Sequence, residues 1–115
     1  MTRDDSVYLS HILDALGQVV EYTKGMDYDR FRATRMVQDA VIRQFEVVGE
    51  ATKNLSADFR GRHGVLPWKD LAGFRDKLIH QYFGVDLATV WRSVVDDVPL
   101  LLEELKIIAE KEVSR

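Results

Sequence analysis

The sequence predicts an all-α fold, an antiparallel bundle of four to five helices. Apolar residues recur at three- and four-residue steps along most of the chain, the spacing of amphipathic helices. No stretch keeps the alternating pattern of a half-buried strand, and no Asn-Gly or Asp-Gly pair marks a hairpin. The 115 residues fit one domain, so we expect a single helical domain over residues 1–115.

The first helix is predicted from Asp5 to about Lys24. Asp4, Asp5 or Ser6 can cap its start with a side-chain oxygen, and Gly25 can end it. We expect its core-facing side to consist of Leu9, Ile12, Leu13, Leu16, Val19 and Val20.

A short helix or helical turn is predicted after Asp27 or Asp29, followed by a long helix from about Thr34 to Leu55. Gly49 inside that pattern costs about 1 kcal/mol relative to alanine, which suggests the close approach of another helix. The residues expected to face inward are Val37, Ala40, Val41, Phe45, Val48, Thr52 and Leu55.

The second half of the chain predicts two further helices. Ser56 to Leu66 has the character of a loop with room for one helical turn. Pro67 suits the first turn of a helix that ends near Gly84. Asp86 then caps a last helix that reaches about Glu112, in which Pro99 should cause a kink or a break and restart.

Composition excludes several classes of protein. There is no cysteine, so disulfides are impossible, and no apolar run approaches the roughly 20 residues that span a bilayer. The polar start has no signal-peptide character, and we expect a cytoplasmic protein without a membrane partner. Three scattered histidines do not form a zinc site, and no Gly-rich phosphate loop is present, so we expect neither metal nor cofactor.

The charge is distributed unevenly. The formal net charge is −3, yet residues 60–80 carry five basic side chains against two acidic ones. A local basic patch on an acidic molecule suits a confined polyanion site better than a long duplex track. Ordinary scatter of charge over a solvated surface is the alternative.

The most informative stretch surrounds His80, on a predicted helix. Arg75 and Tyr82 lie within about 20° of each other on that helix, two turns apart. Asp76 stands four residues before His80, so its carboxylate can orient the imidazole. Arginine binds phosphate and histidine moves protons, which indicates phosphate-ester chemistry. The alternatives are a structural His80, a salt bridge for Arg75 and a core or interface position for Tyr82.

These residues carry a resemblance to a known family. The segment from Arg75 to Tyr82 matches the Arg-x-x-x-x-His-x-Tyr motif of the HEPN superfamily, in its HepT-like branch. The residue after the arginine is often asparagine there and is Asp76 here, so its role as a hydrogen-bond donor is in question. Further blocks similar to that branch are Tyr8-Leu9-Ser10-His11-Ile12-Leu13, Asp39-Ala40-Val41-Ile42-Arg43, Gly49-Glu50-Ala51, Pro67-Trp68, Tyr82-Phe83-Gly84-Val85-Asp86 and Val90-Trp91.

The resemblance implies a metal-independent endoribonuclease, the toxin of a toxin–antitoxin pair. Its antitoxin would be a small MNT-type nucleotidyltransferase that adenylylates the motif tyrosine, here Tyr82. Metal-free RNA cleavage needs a base, an acid and a cation at the phosphate, roles that suit His80 and Arg75. The supporting residues would be Asp76 and Glu50, and the candidates for RNA binding are Lys69 and Lys77.

One chain supplies a single motif histidine, because His11 is predicted in another helix and His63 in a loop. A symmetric homodimer would supply His80 twice, and we therefore expect one. Two alternatives remain open. The first is a non-catalytic helical dimer that binds nucleotide or serves as an accessory subunit of a nucleotidyltransferase. The second is a dimeric interaction module in which the motif is structural.

Overall fold

The computed structural model describes residues 1–73 and 86–113, and the predicted all-α fold is confirmed. The described residues form an antiparallel helical bundle and contain no strand. Within these ranges no helix combines the length and the apolar character needed to cross a membrane. The helices are α1 (Arg3–Thr23), α2 (Tyr28–Ala33), α3 (Arg35–Asn54), α4 (Ala57–Arg62), α5 (helical over residues 68–73), α6 (Leu87–Arg92) and α7 (Val98–Val113), with a π-helical segment, Ser93–Asp97, between the last two.

Helix α1 lies at the centre and packs against both α3 and α7. Its predicted apolar side is confirmed at four of six positions, while Leu13 is half-buried and Val20 is 40% exposed. Burying one leucine side chain stabilises the fold by about 1.5–3 kcal/mol, so these layers supply much of the driving force. The core side chains of the three helices are Leu9, Ile12, Ala15, Leu16 and Val19, then Val41, Phe45, Val48 and Ala51, then Val98, Leu101, Leu105 and Ile108.

The predicted cap of α1 is wrong. Helix α1 begins two residues earlier than expected, and the Thr2 hydroxyl caps it by accepting from the Asp5 backbone N–H at 3.0 Å. The Asp5 carboxylate is buried and accepts from the backbone N–H and the hydroxyl of Ser56, at 2.8 and 2.7 Å. Burial opposes ionisation of Asp5, but the hydrogen bonds from Ser56 and Thr2 and the charge of Arg62 together outweigh it, so the pKa lies below its usual value. Asp5 therefore fastens α1 to the start of α4.

Three predicted helix boundaries are confirmed. Gly25 follows α1 with φ of 75°, the left-handed conformation that glycine adopts without strain. Asp27 caps α2 by accepting from the Arg30 N–H at 2.9 Å. Asp86 caps α6 by accepting from the Ala88 N–H at 3.0 Å.

The interval predicted as a loop with room for one helical turn does hold a short helix, the six-residue α4, because the Ser56 hydroxyl caps it and the Phe59 ring is fully buried. The expectation for Pro99 needs correction. Pro99 does not break the last helix. The backbone instead widens into the π segment, where the Val98 N–H bonds to the Ser93 carbonyl five residues back. Helical structure is therefore continuous from α6 through α7.

A cluster around Glu112 joins α4 to the end of α7. The Glu112 carboxylate is buried, and its Oε1 lies 2.5 Å from Nε2 of His63 and 3.0 Å from Nη2 of Arg62. Arg62 also pairs with Asp58. The hydrogen bond from His63, against the opposing effect of burial and helped by Arg62, lowers the pKa of Glu112 from 4.5 to about 2.

We predict that Glu112→Gln destabilises the fold by about 2–4 kcal/mol at pH 7, because it leaves Arg62 and His63 without their carboxylate. The folded-state pKa of Glu112 is depressed, so its contribution is full above about pH 4.5 and disappears as the pH falls towards 2. Chemical unfolding at several pH values measures both effects. The matched control is Glu103→Gln, an exposed glutamate on the same helix. Equal losses in the two variants, or an unaltered acid dependence in Glu112→Gln, would contradict this account.

Candidate functional site

The predicted motif residues Arg75, Asp76, Lys77, His80 and Tyr82 lie outside the described residues. Their roles therefore stay predictions. The structure does describe both chain segments that lead into and out of the motif, together with the other two predicted site residues, Glu50 and Lys69.

The segment before the motif is anchored in the core. Pro67 directly precedes α5, and its carbonyl accepts from the Leu71 N–H at 3.0 Å. The Trp68 indole N–H donates to the His63 carbonyl at 2.9 Å, and its ring packs against Phe59 with a centroid separation of 6.0 Å. Trp68 and Leu71 are both buried. The chain therefore enters the motif from a fixed position.

The segment after the motif is anchored in the same way. The Asp86 carboxylate accepts from the Thr89 hydroxyl at 2.8 Å, and hydrogen bonds from Thr89 lower the pKa of Asp86. One turn into α6, Val90 is buried, and the Trp91 ring lies 5.1 Å from the ring of Phe31 on α2. The capped helix start and the buried side chains fix where the chain leaves the motif.

Glu50 is exposed near the end of α3 and lines a cavity of about 330 Å³. His11 on α1 lines the same cavity, although the sequence only predicted that it belongs to a different helix. Its ring meets the ring of Tyr8 edge-on, with centroids 6.1 Å apart. The complete lining is Tyr8, His11, Arg43, Glu46, Val47, Glu50, Ala51 and Asn54.

Two charged residues of this cavity form an ion pair on α3. Nη1 of Arg43 lies 3.4 Å from a carboxylate oxygen of Glu46, one turn along the same helix. Sequence reasoning missed the proximity of His11 to Glu50, because it depends on how α1 packs against α3. The periodicity of each helix shows which side faces inward. It does not show which residues of one helix lie next to which residues of the other when the two pack together.

Arg75 and Lys77 of the predicted basic patch lie outside the described residues, so only Arg60, Arg62 and Lys69 can be compared with the prediction. Lys69 on α5 is exposed, as a residue that contacts phosphate should be. Arg62, in contrast, is engaged by Asp58 and Glu112. His63 is likewise held by Glu112.

No cluster of metal ligands is present in the part of the chain that the structure describes. Within residues 1–73 and 86–113, no group of three or more histidine, aspartate or glutamate residues is placed to hold a metal ion.

The chain is similar to known proteins over nearly its whole length. The family model described as "Ribonuclease HepT-like" matches residues 12–108. A protein of Methanocaldococcus jannaschii named "Gamma-glutamylcyclotransferase and putative RNase" is 46% identical over 111 residues, which cover 96% of this chain and 50% of that protein. The chain therefore spans only half the length of this relative. No solved structure matches the chain.

Two other relatives match over most of their own length. One is a protein of the same archaeon named "Putative RNase", 41% identical over 106 residues, which cover 92% of this chain and 97% of that protein. The other is a protein of Thermococcus cleftensis named "Probable ribonuclease HepT", 42% identical over 101 residues, which cover 88% of this chain and 92% of that protein.

Proposed function

The chain belongs to the HepT-like ribonuclease family, and on that premise we propose that it is a metal-independent endoribonuclease acting in the cytoplasm. The observation that carries the proposal is the family match over residues 12–108, which includes Arg75, His80 and Tyr82 in the expected spacing. The anchored segments on both sides of the motif support it, because catalytic side chains must be held in a defined geometry.

The proposed chemistry is transesterification within the RNA. The 2′-hydroxyl loses its proton to a base and attacks the adjacent phosphorus, while an acid protonates the departing 5′-oxygen. Arg75 would bind the phosphate through two parallel hydrogen bonds and stabilise the charge that develops there. His80 would supply the proton, oriented by Asp76, and a second copy of His80 from a homodimer partner would accept one.

The remaining predicted residues would assist binding and positioning. Lys69 and Lys77 would contact RNA phosphates, as point charges without sequence preference. Glu50 would help to position the motif from α3. We propose that residues 1–115 act as one domain, with two copies forming the shared cleft.

We further propose regulation by an MNT-type nucleotidyltransferase antitoxin. The Tyr82 hydroxyl would attack the α-phosphate of ATP, release pyrophosphate and lose its proton to solvent. The bound adenylate would carry negative charge to the neighbourhood of Arg75 and compete with RNA for the arginine.

We predict that the purified protein cleaves bulk tRNA or mRNA in the presence of EDTA. His80→Ala and Arg75→Ala should each lower the cleavage rate about 100-fold or more, because each removes a group that acts in the transition state. Arg35→Ala, which removes an exposed arginine on α3, should cleave normally. Intact RNA under all conditions would instead favour a non-catalytic, nucleotide-binding dimer or an accessory subunit.

We predict that Glu50→Gln lowers the cleavage rate about tenfold without a comparable loss of stability, because Glu50 is exposed and acts by positioning. Rates and melting temperatures are compared with those of Glu46→Gln, one turn away in the same cavity. Equal rates in these two variants would remove Glu50 from the site.

We predict that the partner nucleotidyltransferase and ATP add adenylate to the Tyr82-containing peptide, as detected by mass spectrometry. Tyr82→Phe should stay unmodified and stay active in the presence of the partner. Adenylate on a different residue, or none on the native chain, would overturn this mode of regulation.

A further inference from the structure

A second feature lies apart from the α1–α3 cavity, where α2 meets α6. A cavity of about 220 Å³ is lined there by Tyr28, Ala88, Trp91, Arg92, Val95 and Asp96. Its two aromatic rings are only partly buried. The cavity is smaller than the roughly 300–1,000 Å³ of sites that enclose a drug-sized ligand, so it suits a single flat ring system.

Neighbouring side chains contact both aromatic rings of this cavity, Trp91 and Tyr28. The Trp91 ring packs on the fully buried Phe31, with centroids 5.1 Å apart and planes inclined by 34°. The guanidinium of Arg32 lies 5.9 Å from the centre of the Tyr28 ring. Rings fixed in this way lose little freedom on binding, which favours stacking of an incoming base.

The same cavity has both a hydrogen-bond donor, the Arg92 guanidinium, and an acceptor, the Asp96 carboxylate. Arg92 and Asp96 are exposed. Hydrogen bonds from Thr89 and, as a smaller cause, the charge of Arg92 lower the pKa of Asp86, so Arg92 already has one carboxylate of its own chain nearby. A guanidinium donates to phosphate or to base acceptors, and a carboxylate accepts from the exocyclic amino group of a base. This combination of stacking surface, donor and acceptor is how proteins bind unpaired nucleotides.

The groove continues past Trp91. Trp91 and Val95 also line a neighbouring cavity of about 320 Å³. Lys24 and Glu21 lie at that second cavity. Each of the two cavities therefore has a basic side chain, Arg92 at the first and Lys24 at the second. A strand that stacks one base on Trp91 would find room and a positive charge for the adjoining nucleotide.

We propose that this groove is a binding site for single-stranded RNA, with one base stacked against Trp91 and Tyr28. Bases that carry an exocyclic amino group bind more tightly than uracil, because Asp96 accepts a hydrogen bond from that group. The proposal rests on the proposed function, which makes RNA the ligand. It adds substrate-binding residues that are not part of the motif, Tyr28, Trp91, Arg92 and Asp96, which hold the RNA without taking part in cleavage.

Binding is measured on the His80→Ala protein, so that any cleavage activity does not consume the probe. The probes are six-nucleotide oligo(A) and oligo(U), and the signals are tryptophan emission and fluorescence anisotropy of a labelled strand. We expect oligo(A) to quench the emission and to bind more tightly than oligo(U). Adding Trp91→Ala or Tyr28→Ala should weaken oligo(A) binding at least fivefold.

Asp96→Ala should reduce the preference for oligo(A) over oligo(U) to the part that comes from the stronger stacking of adenine. Arg92→Ala should weaken binding of both probes, whereas the matched control Arg30→Ala, an exposed arginine on α2 that does not line the cavity, should not. Because Asp96 and Arg92 are exposed, these variants keep the test informative even if Trp91→Ala unfolds.

The proposal is overturned if the Asp96 and Arg92 variants bind both probes as the parent does, or if oligo(A) leaves the emission unchanged. It is also overturned if Trp91→Ala alters only the oligomeric state, which would make this face a protein interface. Cleavage by the native chain with no effect of these variants on binding would refute this site alone. Binding that follows the predicted pattern without cleavage by the native chain would refute the nuclease proposal instead.

Discussion

The burial of one helix governs this structure. The apolar side of α1 includes Ile12, Ala15, Leu16 and Val19, none of which is exposed to solvent. One neighbouring helix cannot cover all of these side chains, and both α3 and α7 pack against them. The candidate site follows from this arrangement. Packing of α3 on α1 places Glu50 at the same cavity as His11.

Hydrogen bonds and ion pairs of buried carboxylates connect the helices at the ends of the bundle. Asp5 bonds to Ser56, and Glu112 bonds to His63 and Arg62, in each case across about fifty residues of sequence. Both carboxylates are buried, so each costs desolvation free energy that its hydrogen bonds offset. These contacts hold α4 against α1 and α7, and the Trp68 indole in turn bonds to the His63 carbonyl at the entrance to the motif.

Much of the fold could be predicted because its signals are local. Helical periodicity identified most core positions of α1, and Gly25, Asp27 and Asp86 mark helix boundaries by their own conformation or hydrogen bonds. Distant pairings could not be predicted in this way. Asp4, Asp5 and Ser6 were equally suited to capping α1 by their sequence. Only packing against α4 shows that the Asp5 carboxylate instead binds Ser56. The widened turn before Pro99 was missed because kinking, breaking and widening are alternative responses to one residue.

Some features of the candidate site could likewise be predicted from the sequence, and others depend on packing. Its motif residues came from spacing and from a resemblance to a family, both of which are properties of the sequence. The cavity shared by His11 and Glu50 and the aromatic groove at Trp91 came from packing alone. The contact of the His63 imidazole with Glu112 likewise depends on packing, here of α4 against the end of α7.

The proposed shared cleft requires both protomers of a dimer to contribute His80 to one reaction. Subunit mixing tests this directly. Native protein and His80→Ala protein are combined in equal amounts, allowed to exchange subunits, and assayed for RNA cleavage. If one cleft needs both histidines, only native homodimers are active, and the rate per chain should fall to about one quarter of that of the native protein. A rate of about one half would show that each chain acts alone and would contradict the shared cleft.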